Sequence, residues 1–112
     1  METKAGDPGA FAHFDLNRVP SPAFVVDAAK VRANLAVLAD IKARSGALVL
    51  AALKAFSFYA LGPTIARALD GVCASGLYEA QLGRDHYRAD GKHSHVATYC
   101  AAYKAQDLPA IA

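Results

Sequence analysis

The chain has 112 residues, 54% of them apolar and 20% charged, with a formal net charge of +2. That is the composition of one small globular domain, not of a disordered chain. The charge surplus is small and its Lys and Arg residues are scattered without a basic block, which excludes a nucleic-acid partner recognised through charge.

Two cysteines, Cys73 and Cys100, sit inside apolar runs without CxxC spacing. They read as buried thiols in a reducing compartment, not as a zinc ribbon or a disulfide framework. Residues Met1 to Ala10 carry Glu2, Lys4 and Asp7 and no apolar h-region, so no secretory signal is expected. No apolar stretch approaches the ~20 residues that cross a bilayer. A cytoplasmic protein with no membrane partner is the expectation.

Residues 1–18 read as a flexible leader, because Gly6, Pro8 and Gly9 break regular structure and hydrophobic periodicity is absent. Pro20 and Pro22 flank Ser21 and favour an extended entry into Ala23-Phe24-Val25-Val26, an apolar run suited to a strand. Asp27 is a good N-cap. Behind it Val31, Leu35, Leu38 and Ile41 recur at helical spacing, and Gly46 is a C′ stop, which predicts a helix over Ala28 to Ser45. Ala47 to Leu53 is apolar without interruption, the pattern of a parallel strand covered on both faces. Pro63 suits the first turn of a second helix running through Ile65 and Leu69 and stopping near Gly71.

The cycle then repeats. Gly71 to Ala74 is a strand candidate, Gly76 to His86 a helix, Ala89 to Lys92 a turn, His95 to Cys100 a strand, and Gln106 onward the start of another helix. Strands alternating with helices predict an α/β fold with a parallel sheet and right-handed crossovers.

Lys54 directly follows the longest apolar run, so it stands at the carboxyl end of a buried parallel strand, where α/β folds bind ligands. Desolvation there favours the neutral amine that Schiff-base chemistry requires. The plainer reading is a strand that ends in a charged residue where it meets water. Position alone favours the plainer reading.

The surrounding segments add a family likeness. Ala52-Leu53-Lys54-Ala55-Phe56-Ser57 resembles the cofactor-lysine segment of the fold-type III pyridoxal-phosphate (PLP) enzymes, the alanine-racemase and ornithine-decarboxylase-like group. Within that group it is most similar to the carboxynorspermidine (carboxyspermidine) decarboxylases. The Ala-Phe-Ser after the lysine discriminates, since the ornithine, diaminopimelate and racemase branches usually carry Asn or Cys-Asn nearby. Pro20 to Asp27 resembles the family's entry strand and helix cap, and Leu69-Asp70-Gly71 its approach to the second strand. Ala74-Ser75-Gly76-Leu77-Tyr78-Glu79-Ala80 resembles an Ala-Ser-Ser-Leu-Tyr-Glu-Ala segment, and Tyr99 to Lys104 a Tyr-Ser-Pro-Ala-Tyr-Lys segment. Gly76 departs from a family Ser, Val72-Cys73 from small polar residues, and Ala101 from Pro.

The resemblance implies that residues 19–112 are the amino-terminal part of a PLP-binding (β/α)8 TIM barrel, about three of its eight β/α units. It implies PLP bound covalently through Lys54, with decarboxylation of carboxynorspermidine or carboxyspermidine to the triamine. It also implies a homodimeric full-length enzyme with a further β-domain. A chain of this size is then expected to be a truncated piece, inactive alone, with an open sheet edge and a tendency to associate. Two alternatives stay open: another fold-type III amino-acid decarboxylase or racemase, and a non-catalytic remnant that binds a partner or is inert.

Secondary candidates are weaker. Ser75 and Glu79, by resemblance, line the cofactor pocket; otherwise they serve the start of a helix. Tyr99 and Tyr103 face the pocket or pack its rim. His93 and His95 form an HxH pair without a third ligand, so no metal site is expected. His13 and His86 have no identifiable partner. No GxGxxG or GxxxxGK[ST] is present, which excludes the nucleotide cradles.

Overall fold

The computed structural model describes residues 8–91 and 94–112. Three parallel strands, β1 (Leu50–Ala52), β2 (Gly71–Ala74) and β3 (His95–Thr98), pair in the order β1-β2-β3. Ala51, Val72 and Val96 share one cross-strand row, and Ala52, Cys73 and Ala97 the next. Helix α1 (Ala28–Ser45) precedes β1, α2 (Gly62–Ala68) joins β1 to β2, α3 (Leu77–His86) joins β2 to β3, and α4 (Leu108–Ile111) follows β3. The expected α/β class and parallel sheet are present.

Local chemistry accounts for the helix ends. The Asp27 carboxylate accepts from the N–H groups of Ala29 at 2.9 Å and Lys30 at 3.2 Å, two donors that the first turn leaves without partners. At the other end Gly46 turns left-handed, at φ 69°, and returns its N–H to the Lys42 carbonyl. Pro63 sits in the first turn of α2, and Gly76 is the N-cap of α3.

Strand alternation sorts the sheet into two faces. Leu53, Val72 and Ala74 point to the helix side and join Leu35, Ile65, Leu69 and Tyr87 in one core cluster. Helix α3 lies close over that side: an added Cβ on Gly83 would collide with the Val72 side chain, so only glycine permits this approach. The opposite face is open among the described residues. Leu48 is 70% exposed and Tyr99 78% exposed, and Ala52 and His95 are also exposed.

Several expectations change. Ala23–Val26 is not a strand: no described segment pairs with it, and Phe24 is 92% exposed. A strand needs a ladder partner for its backbone groups, and apolarity does not supply one. Ala47 to Leu53 shortens to Leu50–Ala52 and is covered on one face, not both. In α1 only Leu35 is buried; Leu38 and Ile41 lie at the surface. The leader carries two single-turn 3-10 helices, Gly9–Phe11 and Leu16–Arg18, the second capped by the Asp15 carboxylate. His93 lies outside the described residues. No described helix is long and apolar enough to cross a membrane.

The amino edge of the sheet is fastened by one side chain. Asp70 accepts from the Val49 N–H at 2.9 Å and pairs with Lys42 of α1 at 2.7 Å. Its backbone N–H donates to the Val49 carbonyl, and its carbonyl accepts from the His95 N–H. The Lys42 ammonium, then the Val49 N–H, hold the Asp70 carboxyl below the ordinary Asp value of 3.8. A carboxyl depressed in the folded state stabilises above its unfolded value and loses that contribution as pH falls through its folded value. We therefore expect Asp70→Asn to lower stability at neutral pH and to narrow its gap to the parent chain as pH drops below about 4. Urea unfolding of both chains at pH 7 and pH 3 measures this; a constant gap would contradict it.

Candidate functional site

The carboxyl edge of the sheet gathers the residues singled out from sequence. Lys54 stands in the turn directly after β1, where Ala55 and Phe56 return their N–H groups to the Ala52 carbonyl at 3.0 and 3.2 Å. Leu53, 1% exposed, anchors that turn, and its N–H still donates to the Cys73 carbonyl of β2. Lys54 itself is exposed and makes no ion pair or hydrogen bond among the described residues. The desolvation expected of it is therefore not supplied by these residues. An unengaged amine at the carboxyl edge of a parallel strand is nevertheless available to a carbonyl compound.

The loop beyond Lys54 has a support that sequence reading missed. Tyr87, 1% exposed, directs its hydroxyl at the Phe56 carbonyl at 3.5 Å, and its own carbonyl accepts from the Ser94 hydroxyl. Burial pushes the Tyr87 phenol above its ordinary range. Phe56 stacks with Phe58, ring centroids 6.3 Å apart, and Tyr59 leans on His86 at 4.9 Å. Position after a helix end was the one sequence signal for Tyr87.

At the second loop, the Glu79 carboxylate accepts from the Ser75 N–H at 2.7 Å. This is the reciprocal arm of a capping box displaced by one residue, and it engages Glu79 in starting α3. Ser75 is exposed. At the third loop, the Tyr103 hydroxyl bridges the turn: it donates to the Thr98 carbonyl at 3.0 Å and accepts from the Cys100 N–H at 3.1 Å. The Cys100 thiol donates to the Ala102 carbonyl. Tyr103 is thus a clamp on the rim, while Tyr99 is left open beside it.

Two hollows leave Lys54 out of their lining, though Ala52 and Ala55 beside it border the second. One, about 340 Å³, sits at the amino edge among the pairs Lys42–Asp70 and Arg67–Asp90. The other, about 400 Å³ and mainly apolar, runs between α1 and β1 past Leu35, Leu38, Leu50 and Phe56. His95 is exposed on β3, and no described group of three acidic, His or Cys residues could hold a metal ion.

Comparison with known proteins gives a partial likeness to one group of decarboxylases. The chain is 35% identical over 96 residues to a carboxyaminopropylagmatine decarboxylase of Synechocystis, covering 86% of this chain and 24% of that protein. It is 32% identical over 95 residues to the carboxynorspermidine/carboxyspermidine decarboxylase of Campylobacter jejuni, covering 85% of this chain and 24% of that one. The crystal structure of the C. jejuni carboxynorspermidine decarboxylase complexed with norspermidine superposes with a TM-score of 0.72 at 31% identity, over 80% of this chain and 23% of that one. The chain is similar to the carboxynorspermidine decarboxylases. No family model matches it. It spans about a quarter of the length of the decarboxylases it matches. The structural likeness extends over four fifths of the chain.

Proposed function

We propose that this chain is the lysine-bearing part of a PLP-dependent decarboxylase acting on carboxylated polyamines, built as the opening units of a (β/α)8 barrel. The observation that carries the reading is the exposed, unengaged Lys54 amine at the carboxyl edge of a parallel strand, in a fold that superposes on a carboxynorspermidine decarboxylase. The names of these relatives share a carboxylated, amine-rich substrate, which supports that class.

PLP supplies an electron sink for the charge left when CO₂ departs. The chain's own residues supply the attachment and its setting. Lys54 offers the amine. Leu53 locks the strand end beneath it, and Tyr87 and the Ala52 carbonyl fix the loop that follows. Glu79 shapes the second loop by holding the Ser75 backbone, so its part, and that of Ser75, is to position the rim.

The test is chemical trapping. Incubation of the chain with PLP, borohydride reduction and peptide mapping should place the pyridoxyl adduct on Lys54 in preference to Lys30, Lys42 and Lys104. A label spread evenly over the lysines, or none at all, overturns the proposal.

A further inference from the structure

The register of the sheet, carried past its last pairs, places Lys54, Ser75 and Tyr99 in one row across the carboxyl rim. The bond from the Tyr99 N–H to the Ala74 carbonyl carries the β2–β3 pairing to that level, and the bond from the Leu53 N–H to the Cys73 carbonyl carries the β1–β2 pairing to the residue before Lys54. The next row on the same face, two residues back along each strand, is Ala52, Cys73 and Ala97, all small, on the face that no described helix covers. Two strand spacings separate the outer members of the row, about 10 Å backbone to backbone. The result is a shallow trough with an amine at one flank, an aromatic ring at the other and a floor of small side chains.

Tyr99 is fixed there with unusual thoroughness for a residue 78% exposed. Its own N–H is bound to β2, at 2.9 Å from the Ala74 carbonyl. The carbonyl before it and the N–H after it are both held by the Tyr103 hydroxyl. A large ring on an immobilised backbone loses little freedom when it meets a ligand, which makes it an effective contact.

We infer that Tyr99 is a ligand-binding residue of the Lys54 rim, its ring receiving an ammonium group of a linear polyamine by cation–π contact; this rests on the functional reading above. Ammonium groups over a tyrosine ring are attracted by its quadrupole, and the trough has room for a chain of methylenes between ring and lysine. Tyr103 is the positioning residue that holds the ring in place.

Norspermidine is the probe. The chain is labelled with 3-fluorotyrosine, and the Tyr99 resonance is assigned by its loss in Tyr99→Phe. In a ¹⁹F titration that resonance should shift and saturate with norspermidine. By calorimetry, Tyr99→Leu should weaken binding about fivefold and Tyr99→Phe less than about twofold, because the ring and not the hydroxyl makes the contact. Tyr103→Phe should broaden the Tyr99 resonance at unchanged far-UV circular dichroism. An unmoved Tyr99 resonance, a parent chain that does not bind norspermidine, or a Tyr99→Leu chain that binds it as tightly as the parent overturns the inference. Trapping at Lys54 is read separately. A label at Lys54 with no effect of Tyr99→Leu removes only the Tyr99 contact; norspermidine binding that depends on Tyr99 without a Lys54 label removes only the cofactor reading.

Discussion

Leu53→Ala is expected to destabilise the chain by roughly 2–5 kcal/mol, the range for removing a buried leucine and leaving a cavity. Leu53 is 1% exposed and packs in the cluster that contains Val72 and Tyr87, so little of the lost contact can be recovered by movement toward water. Small domains hold only about 5–15 kcal/mol in all, so the loss takes a large share of the total. Urea unfolding followed by far-UV circular dichroism measures it. The same substitution should also reduce pyridoxyl labelling of Lys54, because the side chain that seats the turn is gone. A loss below about 1 kcal/mol would mean that Leu53 does not anchor the strand end.

Lys54→Met has the opposite profile. Lys54 is exposed and unpaired among the described residues, so its removal should change stability by no more than about 0.5 kcal/mol, the usual range for surface positions. Site-specific labelling after PLP and borohydride, by contrast, should disappear. Lys104→Met, on the loop before α4, serves as the comparison and should leave the Lys54 adduct intact. A Lys54→Met chain that still gives one dominant labelled lysine would move the chemistry to that residue. A Lys54→Met chain that unfolds would show that the side chain is part of the fold, contrary to its exposure.

The two substitutions together separate foundation from chemistry, and the sequence is legible in the same two parts. Helix α1 follows from local signals: the Asp27 cap, the spacing of Val31 and Leu35, and the left-handed Gly46 set both its ends. The span of β2 and the place of Lys54 after β1 are likewise local, because an apolar run ending in lysine leaves few other arrangements. The misread parts are those decided by distant partners. Ala23–Val26 has strand composition but no partner among the described segments. The Asp70 carboxylate reaches Val49 across 21 residues and the Tyr87 hydroxyl reaches Phe56 across 31, separations at which no spacing rule operates. The burial of the Ala47 to Leu53 run depends on what faces it, and apolarity alone does not specify that.

The Asp70 fastening lies at the opposite end of the strands from Lys54, Ser75 and Tyr99. Joinery and tool-edge are therefore on separate ends of the same planks. Changes in the loops at the carboxyl end, in length or in side chain, leave the joint that sets strand register untouched.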